Sequence, residues 1–217
     1  MVEIDQHFFM EVRMVIKYVQ VTGLGLLLFG GIYWYTTAMQ IPNPLNKAIA
    51  DTSVYLMGFS MILSGICYFW DFLDTKIIYR KYLGLIGFAF ALVHIGLSFS
   101  ALLRLFQIET WQKGLFWPAL VGLVATMIFT VMAAISNQFS ASHLGGKMWK
   151  NILHTGYIAM ILILAHVVFL KLKYWMPWFN DGMKTLPSSS LLVSGFILIV
   201  VLMRVAVALS VRTHAKK

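Results

Sequence analysis

Charge is scarce in this sequence: of 217 residues, 17 are Lys or Arg, eight are Asp or Glu, and only 12% are charged while 60% are hydrophobic. A soluble domain carries roughly twice that share of charge, so water is not the main solvent of this fold, and the mean hydropathy of +0.81 agrees. Cysteine is nearly absent. The single Cys67 lies within an apolar run, which excludes an internal disulfide and leaves it the role of a small core residue. A basic segment leading into a short apolar one is missing at the start as well. Residues 1–17 carry Glu3, Asp5 and Glu11 and do not resemble a cleaved signal peptide.

What is present is apolar sequence in long runs. Six stretches, about 15–39, 52–73, 82–106, 115–136, 150–171 and 189–210, each approach the roughly 20 residues that cross a ~30 Å hydrocarbon layer as a helix. Their separators are turn-forming or charged: Pro42-Asn43-Pro44, the cluster from Asp71 to Lys81, Glu109 to Lys113, Ser136 to Lys147, and Lys171 to Ser190 with Pro177 and Pro187. The pattern predicts an all-α membrane protein, a six-transmembrane-helix bundle forming one domain over 1–217. Membrane lipid is its first partner.

The net charge of +9 raises nucleic acid as a partner, but the basic residues stand at the ends of apolar runs rather than along one face, and no nucleic acid is expected. Counted by side, Arg13, Lys17, Lys76, Arg80, Lys81, Lys147, Lys150, Arg212, Lys216 and Lys217 oppose Lys47, Arg104, Lys113, Lys171, Lys173 and Lys184. The richer side faces the cytoplasm, so both termini are predicted cytoplasmic, in a bacterial inner membrane. On the other side, Tyr174, Trp175, Trp178 and Phe179 in the connection 172–188 suit an interfacial aromatic belt. Trp111, Trp117 and Trp149 read as interfacial anchors.

Ionisable side chains at membrane depth are costly, and where they persist they face the bundle interior and do chemistry. Three histidines qualify: His94, His154 and His166. His7, His143 and His214 fall in terminal or loop segments. His94 follows Lys81 by 13 residues on the third span, and His166 follows Lys150 by 16 on the parallel fifth. The three-residue offset is about 4.5 Å of helix rise, so the two imidazoles are expected to face each other in mid-bilayer. A facing histidine pair provides both axial ligands of a b-type haem. Zinc would want a third ligand, and no Cys, Asp or Glu is expected at that depth. Hydrogen bonding of each histidine to a neighbouring helix is the competing reading. His154 stands only four residues after Lys150, near the surface, and 12 before His166, about 18 Å along a helix and roughly 120° around it.

At these residues the sequence resembles a known family. Arg80-Lys81-Tyr82-Leu83-Gly84-Leu85 with Ala91-Leu92-Val93-His94, then Trp149-Lys150-Asn151-Ile152-Leu153-His154-Thr155-Gly156-Tyr157 and Ala165-His166, resemble the ferric reductase-like transmembrane domain. They are most similar to its branch of haem-binding membrane subunits of bacterial methionine sulfoxide reductase systems. The resemblance covers about 76–170 in motifs and the remainder as a hydropathy pattern. It implies a six-span b-type cytochrome carrying electrons through haem from a quinol or flavin donor to a periplasmic or other extracytoplasmic redox partner, as the electron-transfer subunit of an oxidoreductase. It implies His94 and His166 as haem iron ligands and His154 as a ligand if a second haem is present. Relatives with two stacked haems carry two histidines on the third span. One stands there here, so a single haem b is the expectation. Arg80 and Lys81 match the family's basic pair, which holds haem propionates or, with FMN as a further cofactor, a flavin phosphate.

Gly84, Gly87, Gly96 and Gly156 allow either a macrocycle to approach the backbone or ordinary helix packing. No glycine fingerprint for a dinucleotide occurs, so the chain is not expected to oxidise a nicotinamide cofactor alone. A haem-free structural or assembly subunit is the alternative function, and a small transporter lacks support because no broken-helix Gly/Pro pair recurs in two halves and no acidic residue is expected buried in mid-span.

Overall fold

A computed structural model describes residues 2–104, 107–112 and 114–214. Long helices account for nearly all of it: α1 (Val2–Ala38), α2 (Pro44–Phe69), α3 (Tyr79–Leu97), the short α4 (Phe99–Leu103) and α5 (Ile108–Gln112), α6 (Phe116–Ala134), α7 (Gln138–Leu144), α8 (Gly146–His154), α9 (Gly156–Asn180) and α10 (Ser189–His214). A 3-10 turn over Asp71–Lys76 joins α2 to α3. Among the described residues there is no strand. Six segments are long and apolar enough to cross a membrane, with α8 and α9 counted together as the fifth.

Several boundaries differ from expectation, each for a local reason. α2 begins at Pro44, eight residues before the apolar run, because a proline opens a first turn without loss and Lys47 pairs with Asp51 one turn on. α3 stops at Leu97 rather than running to 106, whose last two residues lie outside those described. The fifth span is interrupted at Thr155, which separates α8 from α9. α9 then continues to Asn180, so the connection to α10 shrinks to 181–188 and the aromatic residues expected in it are helical.

α2 is the central helix, packed against α1, α3 and α10. Its sequence is suited to that place, since small residues let backbones approach closely in lipid. A Cβ on Gly58 would come within 2.3 Å of the Phe196 ring of α10, and one on Gly65 within 2.5 Å of Met203. Gly84 and Gly87 of α3 abut Ser60 and Met57 of α2, and Gly156 abuts Met61 and Met132. Ordinary packing thus accounts for these three glycines, and Gly96 meets nothing within 4 Å. Two buried hydroxyls on α2 are satisfied by backbone: Thr52 donates to the Ala48 carbonyl at 2.7 Å and Ser60 to that of Arg80 at 2.7 Å.

The largest apolar cluster joins α2, α6, α9 and α10 through Val54, Met57, Met61, Phe129, Met160 and Ile197. Large side chains such as Leu27 at 77% exposure and Leu202 at 65% project outward, the arrangement expected of surfaces solvated by lipid.

Candidate functional site

Two intimate helix pairs, α2 with α3 and α6 with α9, face each other across a cavity of about 740 Å³. Four helices present it with residues at helical spacing. Phe88, Ala91, His94 and Ile95 come from α3, and Ile163, His166, Val167 and Leu170 from α9. A site of this volume lies within the range of about 300–1,000 Å³ typical for small molecules and cofactors.

His94 and His166 therefore line one cavity, as their spacing predicts. Each is held from behind by the partner helix of its own pair. His166 Nδ1 lies 2.7 Å from the Pro118 carbonyl of α6, and His94 Nδ1 lies 2.7 Å from Asn46 Oδ1 of α2. A carbonyl oxygen only accepts, so the proton sits on Nδ1 of both rings and Nε2 keeps its lone pair. Asn46 is itself fixed by donating from Nδ2 to Ser98 Oγ at 2.9 Å. The sequence reading set hydrogen bonding against metal ligation; the geometry has the first while leaving the nitrogen needed for the second. Proline explains the first acceptor: Pro118 lies in the opening turn of α6. Gly122, one turn on, makes room for the ring, since a Cβ there would stand 2.9 Å from His166 Nδ1.

The pair does not sit at mid-helix. His94 is three residues from the end of α3, about 4.5 Å of rise, and the groups that hold the two rings, Asn46 and Pro118, come from the first turns of α2 and α6. The cavity continues from there to the end of the bundle, where Pro42, Asn43, Arg104, Gln107, Glu109 and Lys171 line it.

Beside the histidines the wall carries an ion pair that no motif of the sequence placed here. Lys47 and Asp51 form an ion pair with side chains 15% and 4% exposed, and Asp51 Oδ2 has no hydrogen-bond partner. Asp51 overturns the expectation that no acidic residue reaches the histidines' cavity, although it stands near the start of α2 and not in mid-span. The signal was legible as a Lys-x-x-x-Asp pair directly after Pro44, where each charge offsets the other across one turn. Even so, among the described residues no three His, Cys, Asp or Glu side chains gather as a metal site. The donor set is two imidazoles, which fits a metal whose remaining ligands arrive with it, as in haem, and fits zinc poorly.

The other expected site residues lie elsewhere. Arg80 and Lys81 open α3, 14 and 13 residues before His94, roughly 20 Å along the helix, and neither lines the cavity. The cations at the cavity are Lys47, Arg104 and Lys171. His154 ends α8 at the far end too, exposed, with Nδ1 3.5 Å from Arg204 Nη2. The break at Thr155 does not bring it to His166. Arg204, inside the sixth apolar run, went unnoticed in the charge pattern.

The aromatic readings divide. Trp175 is buried and donates to Ser190 Oγ at 3.1 Å, so it pins α9 to α10 instead of forming part of a belt. Trp178 is half-buried, and Tyr174 and Phe179 are exposed. Trp117 is exposed, Trp111 stacks on Phe116 with centroids 3.8 Å apart, and Trp149 donates to the Ile135 carbonyl at 2.9 Å. Lys113, Lys216 and Lys217, used in the charge count, lie outside the described residues, as do the side chains of His7 and His214.

No family model and no curated protein matches the chain, so its resemblance to ferric reductase-like domains rests on the motifs around these histidines.

Proposed function

We propose that this protein is a b-type cytochrome subunit that holds one haem between His94 and His166 and passes electrons through it to an acceptor at the outer face of a bacterial inner membrane. One observation carries the reading: two histidines on facing helices line one cavity, each with Nδ1–H given to a neighbouring helix and Nε2 left as a ligand. That is how metal-binding histidines are oriented and made more basic.

The haem supplies one-electron redox chemistry, and the protein supplies ligation, burial and a dry apolar wall from Phe88, Val54, Ile163 and Val167. Propionates would be met by Lys47, Arg104 and Lys171, which takes over the role expected of Arg80 and Lys81. With both termini cytoplasmic, the first turns of α2 and α6 face outward, and a haem held by His94 and His166 would lie toward an extracytoplasmic partner. The inner end carries no second histidine pair among the described residues, which favours a quinol reaching the haem from within the bilayer over a flavin at the inner surface.

The test is a dithionite-reduced minus air-oxidised absorbance spectrum of the purified protein with haem counted per chain. Sharp b-type bands at one haem per chain are expected. None, after expression with ample haem, would leave the fold as a structural or assembly subunit of a larger complex.

A further inference from the structure

At the end of the bundle remote from the cavity, three helices bring cations together. Arg204 of α10 stands 5.5 Å over the Tyr157 ring of α9 and 3.5 Å from His154 of α8. Arg80 of α3 is within electrostatic range of Arg204, His154 and Tyr157, and Lys150 is within range of His154. Among the described residues no carboxylate pairs with Arg80, Lys150 or Arg204. Like charges held together in a half-buried place repel, and Arg204 interrupts an otherwise apolar run, where a charge needs a compensating partner.

The surroundings say what kind of anion would complete the group. α9 and α10 pack against each other. Deeper along them than the cations, Ile158 is 56%, Ile161 49% and Leu198 50% exposed. A cluster of cations beside exposed apolar side chains of two packed helices suits an amphiphile, with an acidic head against the guanidinium groups and hydrocarbon along the helices. Guanidinium forks match phosphate oxygens. We infer that Arg80, His154 and Arg204 form a binding site for the phosphate headgroup of an anionic phospholipid. This site is independent of the haem.

Native mass spectrometry of the full detergent-purified chain tests it, with phosphatidylglycerol or phosphatidylcholine added at equal mole fraction. The wild type is expected to retain phosphatidylglycerol at about one tenth of the concentration needed for phosphatidylcholine. Arg80→Gln and Arg204→Gln should each reduce that preference about fivefold, whereas Lys173→Gln at the opposite end should leave it unchanged. Equal retention of the two lipids by the wild type overturns the inference even where the variants fail to fold. So does an undiminished preference in the Arg80→Gln/Arg204→Gln double variant. Complete displacement of phosphatidylglycerol by inorganic phosphate would assign the cation cluster to a soluble phosphate ligand and overturn the lipid assignment.

Discussion

The two ends of this bundle use the same residue types to opposite effect. At the cavity end, His94 and His166 are fixed by Asn46 and Pro118, and the nearest cation, Lys47, is matched by Asp51. At the other end, His154 is exposed, and Arg80, Lys150 and Arg204 have no carboxylate among the described residues. The first end has oriented imidazoles and a cation matched by a carboxylate, which suits the proposed cofactor. The second has clustered cations with no carboxylate, which suits the proposed external anion. A histidine's function is thus set by what holds its second nitrogen more than by the presence of the ring.

The largest expected effect separates the ends directly. His94→Ala or His166→Ala should abolish haem binding while the helices still insert, and His154→Ala should keep one haem per chain, both read from pyridine haemochrome counts. Retention of full haem in either cavity variant would erase the contrast. Next in size is Asp51→Ala, which strands Lys47 in the cavity wall. A buried charge deprived of its partner costs about 3 kcal/mol, visible as a lowered midpoint in thermal unfolding, whereas Lys150→Ala at the open end should shift it little.

A smaller effect tests the orienting bonds. Asn46→Ala frees His94 Nδ1, and loss of such a supporting bond lowers metal affinity by about 10–100-fold. Haem titration of the apoprotein measures it. Gly122→Ala should act in the same direction through His166 Nδ1. The smallest is His154→Ala on stability, expected within about 0.5 kcal/mol because the residue is exposed and makes one long polar contact.

The six spans were legible because hydropathy reports the solvent of each segment, and lipid leaves little ambiguity. The pairing of His94 with His166 was legible too, since helical rise converts sequence offset into depth. The residues behind them were not. Asn46 and Pro118 each lie 48 positions from the histidine they hold, and no local pattern reports a partner at that range. The start of α2 was misplaced because Lys47 and Asp51 look polar singly, though as a pair they are compatible with a helix entering the bundle. Arg80 and Lys81 were assigned to the cofactor by motif position, but a straight helix carries them some 20 Å from His94.

The central place of α2 has a consequence for biosynthesis. Its glycine-bearing face, Gly58 and Gly65, is covered by Phe196 and Met203 of α10, which follows the other five spans in chain order. Until that span is made the second helix, with its buried serines and threonines, must wait in the bilayer with one flank open. The flank of α2 is closed by the sixth span, and a nascent chain halted before Ser189 would present that flank to other membrane helices and to the proteases that survey them.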